Sequence, residues 1–204
     1  MKLKTIVTVI LTILPYLGSV AQTGTATFTD TRDNKTYRTV KIGKLTWMAE
    51  NLNYKTNTTS IDSSWCYNDD NANCEKYGRL YNLNAARTAC PAGWRLPDTN
   101  DLKDLVAAAG GWSVAGKNLK SQTGWYRNGN GTDKFEFTAL PGGYRNSNGD
   151  FRYDAGLFGY WWNAEYDDDC TWQWSINYYL KGMGAYCRGK RDAVSARCVR
   201  NVRP

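Results

Sequence analysis

The segment Tyr37–Ile42 sets apolar against polar side chains in the two-residue period of a strand, and Thr25–Thr29 and Leu45–Met48 flank it as shorter strands. Asp33-Asn34 and Gly43-Lys44 punctuate the three as turns. Helical spacing is confined to the middle of the chain. Leu83, Ala86 and Arg87 carry it within a predicted helix Leu80–Ala89, and Leu102, Leu105, Val106 and Ala109 follow the i, i+3, i+4, i+7 rule in a second. Asp98 or Thr99 caps that second helix, and Gly110-Gly111 ends it. After Gly116 glycines and aromatics dominate, and the pattern predicts strands at Phe135–Phe137, Tyr160–Glu165, Thr171–Tyr179 and Val194–Val199, with a turn at Asn148-Gly149. Asn53 to Ser64 is rich in Asn, Thr and Ser without any period, which predicts a disordered surface loop closed soon afterwards by a local Cys66–Cys74 bridge. Two helices followed by irregular hairpins indicate the α+β class.

The first residues do not belong to that fold. Lys2 and Lys4, an uncharged apolar run from Ile6 to Leu17, and Ser19-Val20-Ala21 before Gln22 have the layout of an export signal over residues 1–21. The run falls short of the roughly 20 residues a membrane-spanning helix needs. Residues 22–204 are then read as a single domain, with N-terminal strands over 22–52, the disulfide-closed loop over 53–76 and the main core over 77–204. Without Lys2 and Lys4 the formal charge of +7 becomes +5, spread over the surface rather than gathered in one basic stripe. An exported chain with so dispersed a charge is not expected to bind nucleic acid, and it is peripheral to a membrane at most.

Composition adds a chemical constraint. The chain has nine tryptophans and fourteen tyrosines but no histidine. That rules out Ser-His-Asp or Cys-His catalysis and histidine-ligated zinc, and leaves the side chains that stack on flat ligands. Recognition of a carbohydrate or a cell-surface protein by a monomer is therefore favoured over an enzyme. A structural subunit of an envelope or fimbrial assembly, its exposed aromatics covered by a neighbour, is the alternative. The six cysteines have no C-x-x-C spacing, so disulfides explain them better than a metal, with fifteen pairings formally open.

Aromatic density peaks from Tyr160 to Asp169, followed by Trp172, Trp174 and Tyr178. Strand alternation sends Trp161 and Trp162 to opposite faces, so one of the two is expected to be partly exposed, while Trp172, Trp174, Ile176 and Tyr178 share a face. Trp161, Trp172, Asn163 and Glu165 are candidate ligand contacts, together with Trp125 and Tyr126. The hairpin Gly143–Tyr153 adds Tyr144, Arg145, Asn146 and Arg152, a mixture of rigid rings, amides and guanidinium forks suited to binding. Glu165, Asp167, Asp168 and Asp169 offer oxygen ligands to calcium, though no metal or other cofactor is required by the pattern. A carboxylate pair such as Glu165 with Asp150 would serve glycoside hydrolysis only at a suitable separation.

Tyr77-Gly78-Arg79-Leu80-Tyr81-Asn82 and Cys90-Pro91-Ala92-Gly93-Trp94-Arg95-Leu96-Pro97, with Trp47-Met48-Ala49-Glu50-Asn51-Leu52, Ala139-Leu140-Pro141-Gly142-Gly143-Tyr144-Arg145, Gly159-Tyr160-Trp161-Trp162-Asn163-Ala164 and Ser195-Ala196-Arg197-Cys198-Val199, resemble the Fibrobacter succinogenes major paralogous domain family. The resemblance implies a fold related to C-type lectin-like domains and to formylglycine-generating enzymes, with two helices packed on a twisted, loop-rich antiparallel sheet. It also implies bridges Cys90–Cys198 and Cys170–Cys187, leaving Cys66–Cys74, and an association with surface adhesion. The formylglycine-generating relatives use a reactive cysteine pair with copper, and here every cysteine has a structural partner in prospect. Calcium-dependent lectins place an aspartate after Trp-Asn, whereas Trp162-Asn163 is followed by Ala164.

Overall fold

The computed structural model describes residues 26–56, 63–152, 154–166 and 171–202. The predicted export signal at 1–21, part of the predicted disordered loop, Asp167–Asp169 and Cys170 lie outside the described residues. Strand β1 (Ala26–Asp30) turns back into β2 (Lys35–Ile42), and a two-residue turn leads from β2 into β3 (Leu45–Met48). Gly43 sits in that turn at φ 62°, a left-handed conformation that glycine adopts without a Cβ clash. The last strand, β10 (Val199–Asn201), returns beside β3 to give a four-stranded antiparallel sheet in the order β1-β2-β3-β10.

The second sheet has six strands. They are β4 (Ser64–Trp65), β5 (Leu80–Tyr81), β6 (Phe158–Tyr166), β7 (Thr171–Asn177), β8 (Gly184–Arg188) and β9 (Val194–Ser195), in the order β4-β5-β9-β6-β7-β8. All pairings are antiparallel except β6 with β9. The architecture is α+β, with two antiparallel sheets and few helices. Those helices are α1 (Asn71–Tyr77), α2 (Leu83–Ala89), α3 (Thr99–Ala108) and α4 (Ala115–Leu119).

Helix α3 forms as its spacing predicts, started by a capping box in which the Asp98 side chain accepts from the Asp101 amide and the Asp101 side chain from the Asp98 amide. Helix α2 begins later than expected because Asn82 caps it, accepting from the Ala85 amide, while Leu80–Tyr81 pair as a strand. Helix α1 falls inside the segment read as loop. The strand expected at Phe135–Phe137 does not form. Asp133 accepts from both the amide and the hydroxyl of Thr138, at 2.7 and 2.8 Å, and this local turn holds Glu136 and Thr138 at positive φ. The strand expected over Val194–Val199 is split into β9 and the start of β10 around Arg197.

Sheet two is covered on both faces, and this corrects the expectation for the tryptophan pair. Trp161 joins Trp47, Leu102, Leu105, Phe137, Trp174 and Ile176 in one core, and Trp162 joins Tyr81, Leu83, Ala86 and Val194 in another. Both indoles are fully buried. Trp161 stacks on Trp174 at 4.3 Å and donates to Asn51 Oδ1, while Trp162 donates to the Tyr81 carbonyl.

Cys66–Cys74 and Cys90–Cys198 are disulfides with Cα separations of 4.9 and 5.9 Å. Cys187 is disulfide-bonded as well, and its expected partner Cys170 lies outside the described residues. Such bridges persist in an oxidising, extracytoplasmic setting. Among the described residues no helix is long and apolar enough to cross a membrane.

Two buried cations hold irregular segments in place. Arg197 donates to Asn51 Oδ1 and to the carbonyls of Phe137 and Thr138, and burial pulls its pKa down to about 9 against the favourable charges of Asp133 and Glu50. Lys120 donates to the carbonyls of Asn177 and Leu180, each at 3.1 Å, and burial lowers its pKa to about 8. A lysine depressed in the folded state penalises folding while it is charged, and the penalty is relieved as pH rises from the folded pKa toward the unfolded value of about 10.4. Wild-type stability is therefore expected to gain about 1–2 kcal/mol between pH 7.5 and 9.5 relative to K120M, below the range where buried tyrosines titrate. Urea unfolding at several pH values checks this, and parallel profiles for the two proteins would show that the ammonium is not desolvated.

Candidate functional site

A groove of about 260 Å³ opens between the start of α3 and strands β6, β7 and β8, lined by Thr99, Leu102, Lys103, Trp112, Asn163, Trp172, Trp174 and Ala185 among others. Two of the lining residues are exposed indoles, Trp112 at 47% and Trp172 at 43% exposure. Trp112 stands out because Gly110 and Gly111, at φ 98° and 92°, end α3 and turn the chain off the helix's apolar face. The Met183 amide donates to the Trp112 carbonyl at 2.9 Å, pinning this residue to the β7–β8 connection. Gly182 permits that approach, since a Cβ there would lie 2.6 Å from the same carbonyl. Trp172 and Trp174 share a face of β7, yet only Trp174 is sealed by Trp161 and Phe137.

One end of the groove is polar. Asn163 Nδ2 donates to Thr99 Oγ1 at 2.9 Å, the Thr99 hydroxyl donates to the Glu165 carboxylate, and the Glu165 amide donates back to Asn163 Oδ1 at 3.1 Å. Aliphatic contact comes from Leu102 and Ala185. Two exposed indoles, an apolar floor and a hydrogen-bonded polar rim suit a flat ring with a hydroxylated edge.

Of the residues singled out from the sequence, Trp172 and Asn163 line the groove, and Glu165 is tied to its edge through Thr99 and Asn163. Others do not join them. Trp161 and Trp125 are buried rather than available, the latter donating to Ser121 Oγ and the Ala139 carbonyl. Tyr126 is exposed but packs edge-on against Tyr178 at 5.6 Å. In the hairpin, Asn146 Oδ1 accepts from the amides of Asn148 and Asp150 and so builds the turn, and Arg145 lies over the Trp65 ring at 4.4 Å. Tyr144 is half-buried beneath the Arg188 guanidinium, and Arg152 is exposed with its carbonyl accepting from the Tyr67 hydroxyl. Trp112 and Lys103 escape the sequence reading, in which Thr99 is a helix cap rather than part of a site. A tryptophan directly after a glycine helix stop was the available sign for the first.

A second, polar cleft of about 320 Å³ lies against β2 and α1. Its charges are largely met by one another, Lys35 with Glu75 at 3.6 Å and Arg38 with Glu50 at 3.1 Å. Among the described residues no group of three or more potential metal ligands is found, and Asp167–Asp169 lie outside them.

The model of the Fibrobacter succinogenes major domain matches residues 40–200. The chain belongs to that family. No curated protein and no solved structure matches it. Within this Fibrobacter succinogenes major domain the matched stretch runs from the end of β2 into β10, so it leaves out β1 and most of β2 but includes all of the six-stranded sheet, helices α1 to α4 and every lining residue of the groove.

Proposed function

We propose that this domain is an exported, non-catalytic recognition module that binds carbohydrate in the groove between Trp112 and Trp172. The observation that carries the reading is the pair of exposed indoles facing a hydrogen-bonded Thr99–Asn163–Glu165 rim. Rigid aromatic side chains lose little conformational freedom on contact with a sugar face, and the rim supplies partners for its hydroxyls. The wider fold is read as C-type lectin-like, in keeping with the bridge from the end of α2 to the last strand. Calcium is not part of the proposal, since Ala164 stands where such lectins place a ligand aspartate.

Affinity electrophoresis through polysaccharide-loaded gels tests the idea. W172A and W112A are each expected to weaken retardation at least tenfold, as befits anchor residues at the centre of a contact. Unchanged retardation of both variants would remove the groove from consideration. A second reading, a subunit buried in a surface assembly, draws on Tyr179 and Leu180, which are 62% and 50% exposed on the β7–β8 connection. A stable oligomer that dissociates on Y179S/L180S would favour it.

A further inference from the structure

A third, smaller depression lies across β6 from the groove. It measures about 250 Å³ and is lined by Arg87, Arg95, Leu96, Asp98 and Ala164. Only a thin ridge separates the two, because Thr99 and Asn163 line one and their neighbours Asp98 and Ala164 line the other. The ridge is stitched by the Ala164 amide donating to the Pro97 carbonyl and by Asn163 donating to Thr99.

The carboxylates on this ridge are occupied. Asp101 accepts from the Arg95 guanidinium and the Asp98 amide, Asp98 accepts from the amides of Asn100 and Asp101, and Glu165 accepts from the Thr99 hydroxyl. Two of the nearby cations are not. Arg87 and Lys190 each lie 4.8 Å from the centre of the Tyr166 ring, which is 43% exposed. Among the described residues neither of them, nor Lys103 in the groove, has a carboxylate within ion-pair distance. Two like charges that share one ring repel, and an anion bound nearby offsets that repulsion. A guanidinium fork and an ammonium both donate to the oxygens of a carboxylate or sulfate.

We infer that the ligand is an anionic saccharide whose ring stacks between Trp112 and Trp172 while its acidic group reaches over the ridge to Arg87 and Lys190. This rests on the carbohydrate reading of the groove and adds the charge of the ligand to it. The net positive charge of the chain speeds the approach of such a polymer.

Isothermal titration with homogalacturonan oligosaccharides in methyl-esterified and de-esterified form changes the charge on a constant backbone. Dextran sulfate against dextran does the same for a sulfate ester. The acidic member of at least one pair is expected to bind tenfold or more tighter than its neutral counterpart at low salt. R87A/K190A should erase that preference, and W172A should weaken both members. Preference for carboxylate alone or sulfate alone identifies the acidic group. Equal binding of acidic and neutral forms, unaffected by R87A/K190A but weakened by W172A, overturns the inference and leaves the carbohydrate reading standing. Anionic binding that R87A/K190A abolishes and W172A leaves intact reduces the site to simple ion exchange and overturns it too. If all four polymers fail to bind, both the inference and the carbohydrate reading fall.

Discussion

Replacing Cys90 and Cys198 together by alanine is expected to cost about 4–5 kcal/mol of stability, the largest effect of any change that removes so few atoms. The bridge spans 108 residues of sequence, so its loss releases a long loop in the unfolded chain, whereas the Cys66–Cys74 bridge spans 8. The same chain-entropy argument gives about 2.5 kcal/mol for the shorter one. Cys90 lies at the end of α2 and Cys198 just before β10, so the bond joins the helix under sheet two to the strand that closes sheet one. Urea unfolding of C90A/C198A and C66A/C74A under oxidising conditions measures the difference. Equal losses in the two variants would mean that loop length is not what sets the contribution.

Removing the Arg197 guanidinium is expected to cost about 2–5 kcal/mol, since each of two buried carbonyls left without a donor costs about 1–3 kcal/mol. R197M keeps much of the volume and all of the apolar stem, yet it orphans the carbonyls of Phe137 and Thr138, which among the described residues are bonded only through the fork. Asn51 Oδ1 suffers less because Trp161 Nε1 still donates to it at 2.7 Å. R197K retains charge but lacks the planar fork that reaches three acceptors at once, so it should lie close to R197M rather than to wild type. Chemical denaturation of the three proteins decides this. An R197M protein within 1 kcal/mol of wild type would show that water takes over the carbonyls at little cost.

How much of this is legible in the sequence depends on how local each signal is. Helix α3 was readable because Asp98, the Leu102–Leu105–Val106 stripe and Gly110-Gly111 all act within one short segment. Phe135–Phe137 looked like a strand because alternation says nothing of Asp133, whose side chain closes a turn around it. Strand β8 went unseen since Gly184-Ala185-Tyr186-Cys187-Arg188 contains no β-branched residue, and its pairing with β7 supplies the order instead. Strand alternation sends Trp161 and Trp162 to opposite faces, as found, but both faces of the six-stranded sheet are covered, so neither indole is exposed. The groove is half legible. Trp172, Asn163 and Glu165 are close in sequence, whereas Trp112 reaches them only because Gly182 and Met183 bring the β7–β8 connection against it.

The uneven burial of the indoles gives the domain a built-in optical reporter. Trp47, Trp94, Trp125, Trp161, Trp162 and Trp174 are buried and Trp65 is half-buried, so a collisional quencher such as iodide acts chiefly on Trp112 and Trp172. The quencher-sensitive, red-shifted part of the emission therefore belongs to the two indoles of the groove, and a bound molecule that shields them changes that part alone.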